Sequence, residues 1–317
     1  MNSRTEENRR RSEPPPARPL ATVFFRNFNQ KGFIEQALGS ALAQTYSPLE
    51  IRIFDDCSED GSYELIQRMV ADYRGPHRIH LHRNAQNIGP GQLRHHWSSI
   101  KGELVAIFDG DDVSAPDRVE QQAHRLLELD ASLVACNAHI IDAEGRRKGL
   151  RIAPDQTVDN SLEPLCQRGF NPLVFGAGIL FRRELFDLFG PIEPPTRATD
   201  QILVFRATLL RGAQYMSEPL VSWRHHDRNR SHFLQKSRVD SDKAEAMRVE
   251  ERWLYSRIAS RHAMLADLDA HLKRRPDDPR RPAMERGRKL LLQGLLRESR
   301  DWVTLRFEMI RNKVVID

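Results

Sequence analysis

The chain has 317 residues, 39% hydrophobic and 29% charged, proportions that fit about two globular domains and exclude collagen, disordered chains and disulfide scaffolds. Its three cysteines, Cys57, Cys136 and Cys166, have no C-x-x-C spacing, so they encode neither a zinc site nor a disulfide framework. The formal net charge is +5, and from Lys236 onward 20 Lys and Arg face 14 Asp and Glu, leaving 29 against 30 before it; the body is neutral and the tail basic.

Met1 to Pro19 carry Arg9, Arg10, Arg11 and Pro14, Pro15, Pro16 with almost nothing apolar, which predicts a disordered tail. Ala21 to Phe25 form an apolar run suited to a strand buried on both faces. Phe33, Ile34, Ala37, Leu38, Ala41 and Leu42 then recur at helical spacing, with Asn29 as a cap near the helix start. The alternation continues: strand Leu49 to Phe54, helix Ser62 to Tyr73, strand Arg78 to His82, a glycine-bearing turn and a helix carrying Arg94. Strand Glu103 to Phe108 follows, then Asp109-Gly110-Asp111-Asp112, Pro116 in a first turn, and helix Asp117 to Leu129. Four strand-then-helix units in succession predict an α/β fold with a doubly wound, mostly parallel sheet. Leu133 to Asp142, Gly178 to Phe181 and Gln214 to Arg224 are predicted strands, and Asp200 to Arg211 a helix. From Lys236 an amphipathic pattern begins, interrupted at 275–282 by three prolines. No run approaches the ~18 apolar residues of a spanning helix and no signal peptide precedes the first strand, which predicts a cytoplasmic protein.

Ligands of open parallel sheets bind at the carboxyl ends of the strands. Three such ends are polar or acidic here: Arg26 to Asn29, Asp55-Asp56, and Asp109 to Asp112. Five carboxylates on one sheet edge repel one another unless a cation or hydrogen-bond donor sits among them. Mg²⁺ or Mn²⁺ with a substrate diphosphate is the simplest such partner. A solvated, helix-capping role for Asp55-Asp56 is the alternative.

The runs ATVFFRNFNQKGFIEQALGSALAQTYSPLEIRIFDDCSEDGS, NIGPGQLRHH and GELVAIFDGDDVSAPDRVEQQ resemble the nucleotide-sugar-binding half of the family 2 glycosyltransferases. The resemblance spans Ala21 to Ser231 and implies a GT-A, Rossmann-like fold. It also implies an inverting transfer of a sugar from a nucleotide-diphosphate sugar to an acceptor hydroxyl, assisted by Mg²⁺ or Mn²⁺. Position by position, it implies that Arg26, Phe28 and Asn29 face the nucleotide, with Phe28 stacked on the base. Asp56 would bond the base edge, Arg94 would lie in the nucleotide pocket, and Asp109 and Asp111 would lie near the ribose and diphosphate. Asp111, Asp112 and His226 would be the metal contacts. The segment ATDQILVFRATLLRG would place Asp200 as catalytic base, and Asn171 to Gly178 would line the acceptor. The resemblance divides the chain into a tail (1–19), a GT-A domain (20–235) with donor half (20–130) and acceptor half (131–235), and a helical C-terminal extension (236–317).

Arg26-Asn27 replaces the family's usual Pro-Thr, and Cys57 replaces a usual Gly. These departures motivate the alternative, a catalytically inactive nucleotide-sugar-binding or scaffold protein of the same fold. A nucleotidyltransferase would need a glycine-rich basic loop after the first strand, and none is there. The implied partners are a nucleotide-sugar donor and a carbohydrate or lipid-linked acceptor of cell-surface polysaccharide or glycolipid synthesis, with no nucleic acid. The basic tail offers peripheral contact with the inner face of a membrane, a homodimer interface, or packing on the domain. Trp253, Leu254, Trp302 and Phe307 favour packing, because they need burial.

Overall fold

The structure, a computed structural model, describes residues 18–154, 156, 159, 161–193, 196, 198–227, 229, 243–312 and 314. Most of the expected disordered tail (1–17), residues 228, 230 and 231 of the His226 segment, and the first residues of the basic tail lie outside that set.

Strands β1 (Ala21–Asn27), β2 (Leu49–Asp55), β3 (Arg78–Arg83) and β4 (Leu104–Asp109) are parallel in the order β3-β2-β1-β4. Between them run α1 (Ile34–Leu42), α2 (Ser62–Asp72) and α3 (Gln92–His96). Successive strand side chains point to opposite faces, and both faces are apolar. Val23, Phe25, Ile51, Ile53, Leu104 and Phe108 pack on one side against α1, α2 and α4 (Arg118–Glu128). Phe24, Phe54, Val105 and Ile107 pack on the other. That is why the apolar runs of these strands show no alternation.

The second half of the sheet is mixed. It contains β5 (Val113–Ser114), β6 (Leu133–Ile141), β7 (Arg147–Leu150), β8 (Ile179–Arg182) and β9 (Ala213–Arg224), and β8 runs antiparallel to both β4 and β6. Parallel pairing is therefore confined to β1–β4 and to the β6–β9 ladder. In that ladder the register shifts where Asn137 meets Pro219, which has no N–H to donate. Beyond the shift, β9 pairs with β5, Val113 opposite Ser222, and its end reaches the Asp109–Asp112 turn.

The back layer consists of α5 (Leu162–Arg168), α6 (Glu184–Asp187), α7 (Thr199–Leu209) and a long hairpin of α8 (Lys243–Arg274) and α9 (Arg281–Arg311). Met264, Leu268, Met284 and Leu291 of the hairpin are buried in the same core as Ile202 and Phe205 of α7. A buried Arg206–Asp267 pair at 2.8 Å fixes α7 to α8. Leu254 is buried and Trp253 and Trp302 pack beside it, but Phe307, expected to need burial, is 67% exposed. Among the described residues no helix is long and apolar enough to cross a membrane.

Candidate active site

The carboxyl ends of β1, β2, β4 and β9 converge, and each places polar side chains there. Arg26, the penultimate residue of β1, lies opposite Asp109 of β4 and donates two hydrogen bonds to its carboxylate, at 2.7 and 2.8 Å. Next to it, the Asn27 Nδ2 faces Asp55 at 2.7 Å and Ser62 at 3.0 Å. A side chain at Gly110 would begin 2.8 Å from Asn27 Oδ1. Glycine therefore lets the acidic turn after β4 lie against the end of β1.

Beyond Gly110 the two remaining acids separate in environment. Asp111 Oδ2 lies 3.1 Å from His226 Nε2 and accepts from Asn229 Nδ2 at 3.2 Å. The His226 ring packs on Phe33, centroids 4.7 Å apart. Asp112 is buried and accepts the Arg224 backbone N–H at 2.8 Å. Burial, with the charges of Asp111 and Asp109 beside it, pushes the Asp112 carboxyl well above the usual carboxylate range. The buried Arg224 guanidinium donates to the Asp111 carbonyl at 2.9 Å and to Gln36 at 2.7 Å, joining the acidic turn to α1.

Asp56 is almost fully buried and heavily committed. It accepts from Asn84 Nδ2 at 2.8 Å and from the Ile88 and Gly89 N–H groups at 2.9 and 2.8 Å. Asn84 Oδ1 in turn lies 2.8 Å from His96 Nε2. Burial, with His82 and His95 alongside, pushes the His96 imidazole down to about 4. The ring is then neutral and donates through Nε2, because Asn84 uses its amide N–H toward Asp56. Arg94, on α3, pairs with Glu193 at 3.2 Å in an exposed contact.

Asn29 does not cap α1. That helix starts after Phe33 with no side-chain cap, whereas Asn29, at a left-handed φ of 52°, accepts the Glu59 N–H at 2.9 Å and donates its own N–H to Ser58 at 2.9 Å. A short polar side chain tolerates that conformation, and the result is a tie between the β1 and β2 turns. Phe28 is half exposed beside it. Cys57 also takes a left-handed φ, 64°, which accounts for the glycine common at this turn.

Asp200 stands in the first turn of α7, where its Oδ1 accepts the Gln201 N–H at 3.0 Å. Gln201 Oε1 accepts the Asn171 N–H at 2.6 Å. Arg151, whose electrostatic surroundings include Asp200, donates to the carbonyls of Pro172 at 2.9 Å and Leu173 at 3.1 Å. The 171–178 segment then returns to the other acids, since a side chain at Gly176 would meet the Arg26 guanidinium at 3.3 Å. One segment thus links the start of α7 with the Arg26–Asp109 pair.

Hydrogen bonds therefore join Arg26 to Asp109 and Asp111 to His226, while Asp56 and Arg94 belong to other local networks. Sequence reasoning does not single out Asn84, His96, Arg224 or Asn229. Asn84 directly follows β3, so the strand-end rule selects it once that strand is extended by one residue. Among the described residues no group of three or more His, Cys, Asp or Glu side chains converges as a ready-made metal site. Asp111 and His226 supply one carboxylate and one imidazole, a donor set that suits Mn²⁺ better than Mg²⁺, which takes oxygen ligands, with water and substrate phosphate completing it.

Residues 22–189, more than half of the chain, match the family described as Glycosyl transferase family 2. An uncharacterized glycosyltransferase of Nostoc is 26% identical over 212 residues, 66% of this chain and 65% of that protein. The succinoglycan biosynthesis protein ExoO of Rhizobium meliloti is 30% identical over 62% of this chain and 54% of its own length. The putative teichuronic acid biosynthesis glycosyltransferase TuaG of Bacillus subtilis is 26% identical over 65% of this chain and 79% of its own. The chain thus spans about two thirds or less of several relatives. Among solved structures, the mannosyltransferase PcManGT of Pyrobaculum calidifontis, in complex with GDP-Man and Mn²⁺, shares the fold at a TM-score of 0.52 and 19% identity, covering 96% of this chain and 91% of that one. TarS 1-349 of S. aureus gives 0.52 at 14% identity, covering 93% and 91%. The fold is that of the GT-A glycosyltransferases, and by the match over residues 22–189 the chain belongs to glycosyl transferase family 2.

Proposed function

We propose that the chain transfers a hexose from a nucleotide-diphosphate sugar to an acceptor hydroxyl with inversion, using a divalent cation, in the cytoplasm. The observation that carries this reading is the approach of Asp111 and His226 to 3.1 Å beside the Arg26–Asp109 pair. A carboxylate and an imidazole there would hold Mn²⁺, and Asp111 with water and phosphate oxygens would hold Mg²⁺, with Asp112 behind them. The bound ion would supply positive charge against the departing diphosphate. Phe28, half exposed, offers a ring face to the base, and Asn29, Asp56 and Arg94 shape the loops of the nucleotide side.

The acceptor enters from the side of Asp200 and the 171–178 segment. Asp200 takes the proton of the acceptor hydroxyl as its oxygen bonds to the anomeric carbon; the bond from that carbon to the diphosphate oxygen breaks, and the nucleoside diphosphate leaves. One displacement with one base inverts the centre and requires no covalent nucleophile. Relatives named for succinoglycan and teichuronic acid synthesis support a carbohydrate or lipid-linked acceptor of cell-surface polysaccharide formation. A neighbour held with GDP-Man and Mn²⁺ supports the donor and cation classes. Three free thiols, two of them buried, suit a reducing compartment.

The test is nucleoside diphosphate release across a panel of donors with Mn²⁺ or Mg²⁺, in the wild type and in Asp200→Asn. We expect kcat to fall by about 10³-fold in the variant with donor affinity within about twofold. Arg26-Asn27 and Cys57, which stand where the family usually has Pro-Thr and Gly, motivate the competing reading of a donor-binding protein without transfer. That reading requires donor binding with no release and no effect of Asp200→Asn.

A further inference from the structure

Among the described residues, nothing packs on a second apolar face of the hairpin. Leu292, Leu296, Val303, Phe307 and Ile310 of α9 are all exposed, Leu296 at 72% and Ile310 at 62%. At ~100° per residue these five positions fall within about 60° of arc and extend over about 27 Å of helix. The buried residues of the same helix, Met284, Leu291, Leu305 and Met309, lie about 140° round the axis. Packing against α5 and α8 therefore does not account for the stripe, and single exposed apolar residues are common whereas a continuous row is not.

Charge identifies the occupant. Lys289, Arg297, Arg300 and Arg311 are exposed along one flank of the stripe, outnumbering the exposed acids Asp301, 3.9 Å from Arg300, and Glu308 beyond them, and Tyr255 of α8 is half exposed beside Trp302, ring centroids 6.3 Å apart. Two copies packed antiparallel, stripe to stripe, would bring these basic flanks together, whereas an anionic surface with an apolar interior receives both the charges and the side chains. We infer that α9 docks the protein on an anionic lipid bilayer, with Leu296, Phe307 and Ile310 entering the headgroup boundary.

The stripe also runs to the end of the hairpin that lies nearest Asp200. Asp267 and Arg280 of the hairpin contact the second half of α7, at Arg206 and at the Leu209 carbonyl. Arg257, one helical stretch earlier, reaches the Arg168 carbonyl and the Phe170 ring, next to Asn171 and Gln201 at the start of α7. The open end of the hairpin, where Arg306 meets Glu251 at 2.7 Å, thus lies toward the end of α7 that carries Asp200.

The experiment is flotation of the full chain with vesicles of phosphatidylcholine alone or mixed with phosphatidylglycerol. The wild type should float with the anionic vesicles and lose binding as salt rises. Leu296→Glu/Phe307→Glu should weaken that binding at least about tenfold, and Arg300→Gln/Arg311→Gln by about tenfold, at unchanged circular dichroism. Failure of the wild type to bind anionic vesicles at low salt overturns the inference, whatever the variants do. So does equal flotation of wild type and Leu296→Glu/Phe307→Glu, or a wild-type dimer that this variant converts to monomer without any vesicle binding, which would assign the stripe to a second copy.

Discussion

Arg26 and Asp109 are joined by two hydrogen bonds, of 2.7 and 2.8 Å, across the neighbouring parallel strands β1 and β4. The planar fork of arginine fits both carboxylate oxygens, so one of the three acids in the turn is neutralised in place. Removing the fork would leave Asp109 as a further unpaired negative charge beside Asp111, facing an anionic diphosphate. Arg26→Ala should raise the donor KM about tenfold, and Arg26→Lys should recover little of that loss, because an ammonium cannot bond both oxygens in one plane. Steady-state donor kinetics check this, and an unchanged kcat/KM in Arg26→Ala refutes it.

Asp111 and His226 are expected to act as one unit. Asp111→Asn and His226→Ala should each raise the Mn²⁺ concentration for half-maximal activity by about tenfold or more, in line with the cost of losing one ligand or its support. The double variant should be little worse than the poorer single, since either change opens the same site. Metal titrations of activity read this directly. Strictly additive losses would mean that the two side chains serve separate steps.

The layout of β1–β4 and the acids at their ends is legible in the sequence because both signals are local. Apolar runs such as Ala21 to Phe25 mark buried strands, and turns such as Asp109 to Asp112 follow them directly. The partners of those acids are not local. His226 follows the end of β9, beyond the register shift at Pro219; a proline inside a strand signals an irregularity but not which turn the strand end will meet. Asn29 illustrates the opposite error: its position before a helix suggests a cap, but its side chain is used for a contact with Glu59, thirty positions away. Phe307 shows that an apolar residue at helical spacing does not reveal which of two possible faces the fold will cover.

His96 gives a pH dependence whose sign is fixed. Burial holds its imidazole at about 4 in the folded chain, against about 6.5 when unfolded. Between those values the unfolded state binds the proton and the folded state does not, so stability falls as pH drops from 6.5 toward 4, and below 4 this residue causes no further loss. The difference between the two values corresponds to at most about 3 kcal/mol, which partial solvent screening of the ring reduces to roughly 2 kcal/mol. His96→Gln, which retains an amide donor toward Asn84, should flatten the difference in urea midpoint between pH 7 and pH 5 relative to wild type. An identical slope in the two proteins would show that His96 is not the titrating group.

Arg261 tests how tightly the hairpin is seated. Its guanidinium donates to Glu298 at 2.8 Å and to the Cys166 carbonyl at 2.9 Å at the end of α5, and it passes between two glycines. A Cβ at Gly294 would stand 2.3 Å from Arg261 Cζ, and one at Gly169 would stand 2.8 Å from it. Intrinsic helix propensity favours alanine over glycine at 294 by about 1 kcal/mol, so local preference alone predicts a more stable Gly294→Ala. Overpacking against a buried, ion-paired side chain predicts the reverse, a loss of about 2 kcal/mol after the propensity gain. Because the guanidinium is held by Glu298 and by backbone carbonyls, it has no route aside, and we expect the loss. Combining Gly294→Ala with Arg261→Ala removes the clash, so the double variant should be more stable than the sum of the singles requires. Thermal unfolding of the four proteins measures it. A raised melting temperature in Gly294→Ala would show that the hairpin rides on the domain with room to spare.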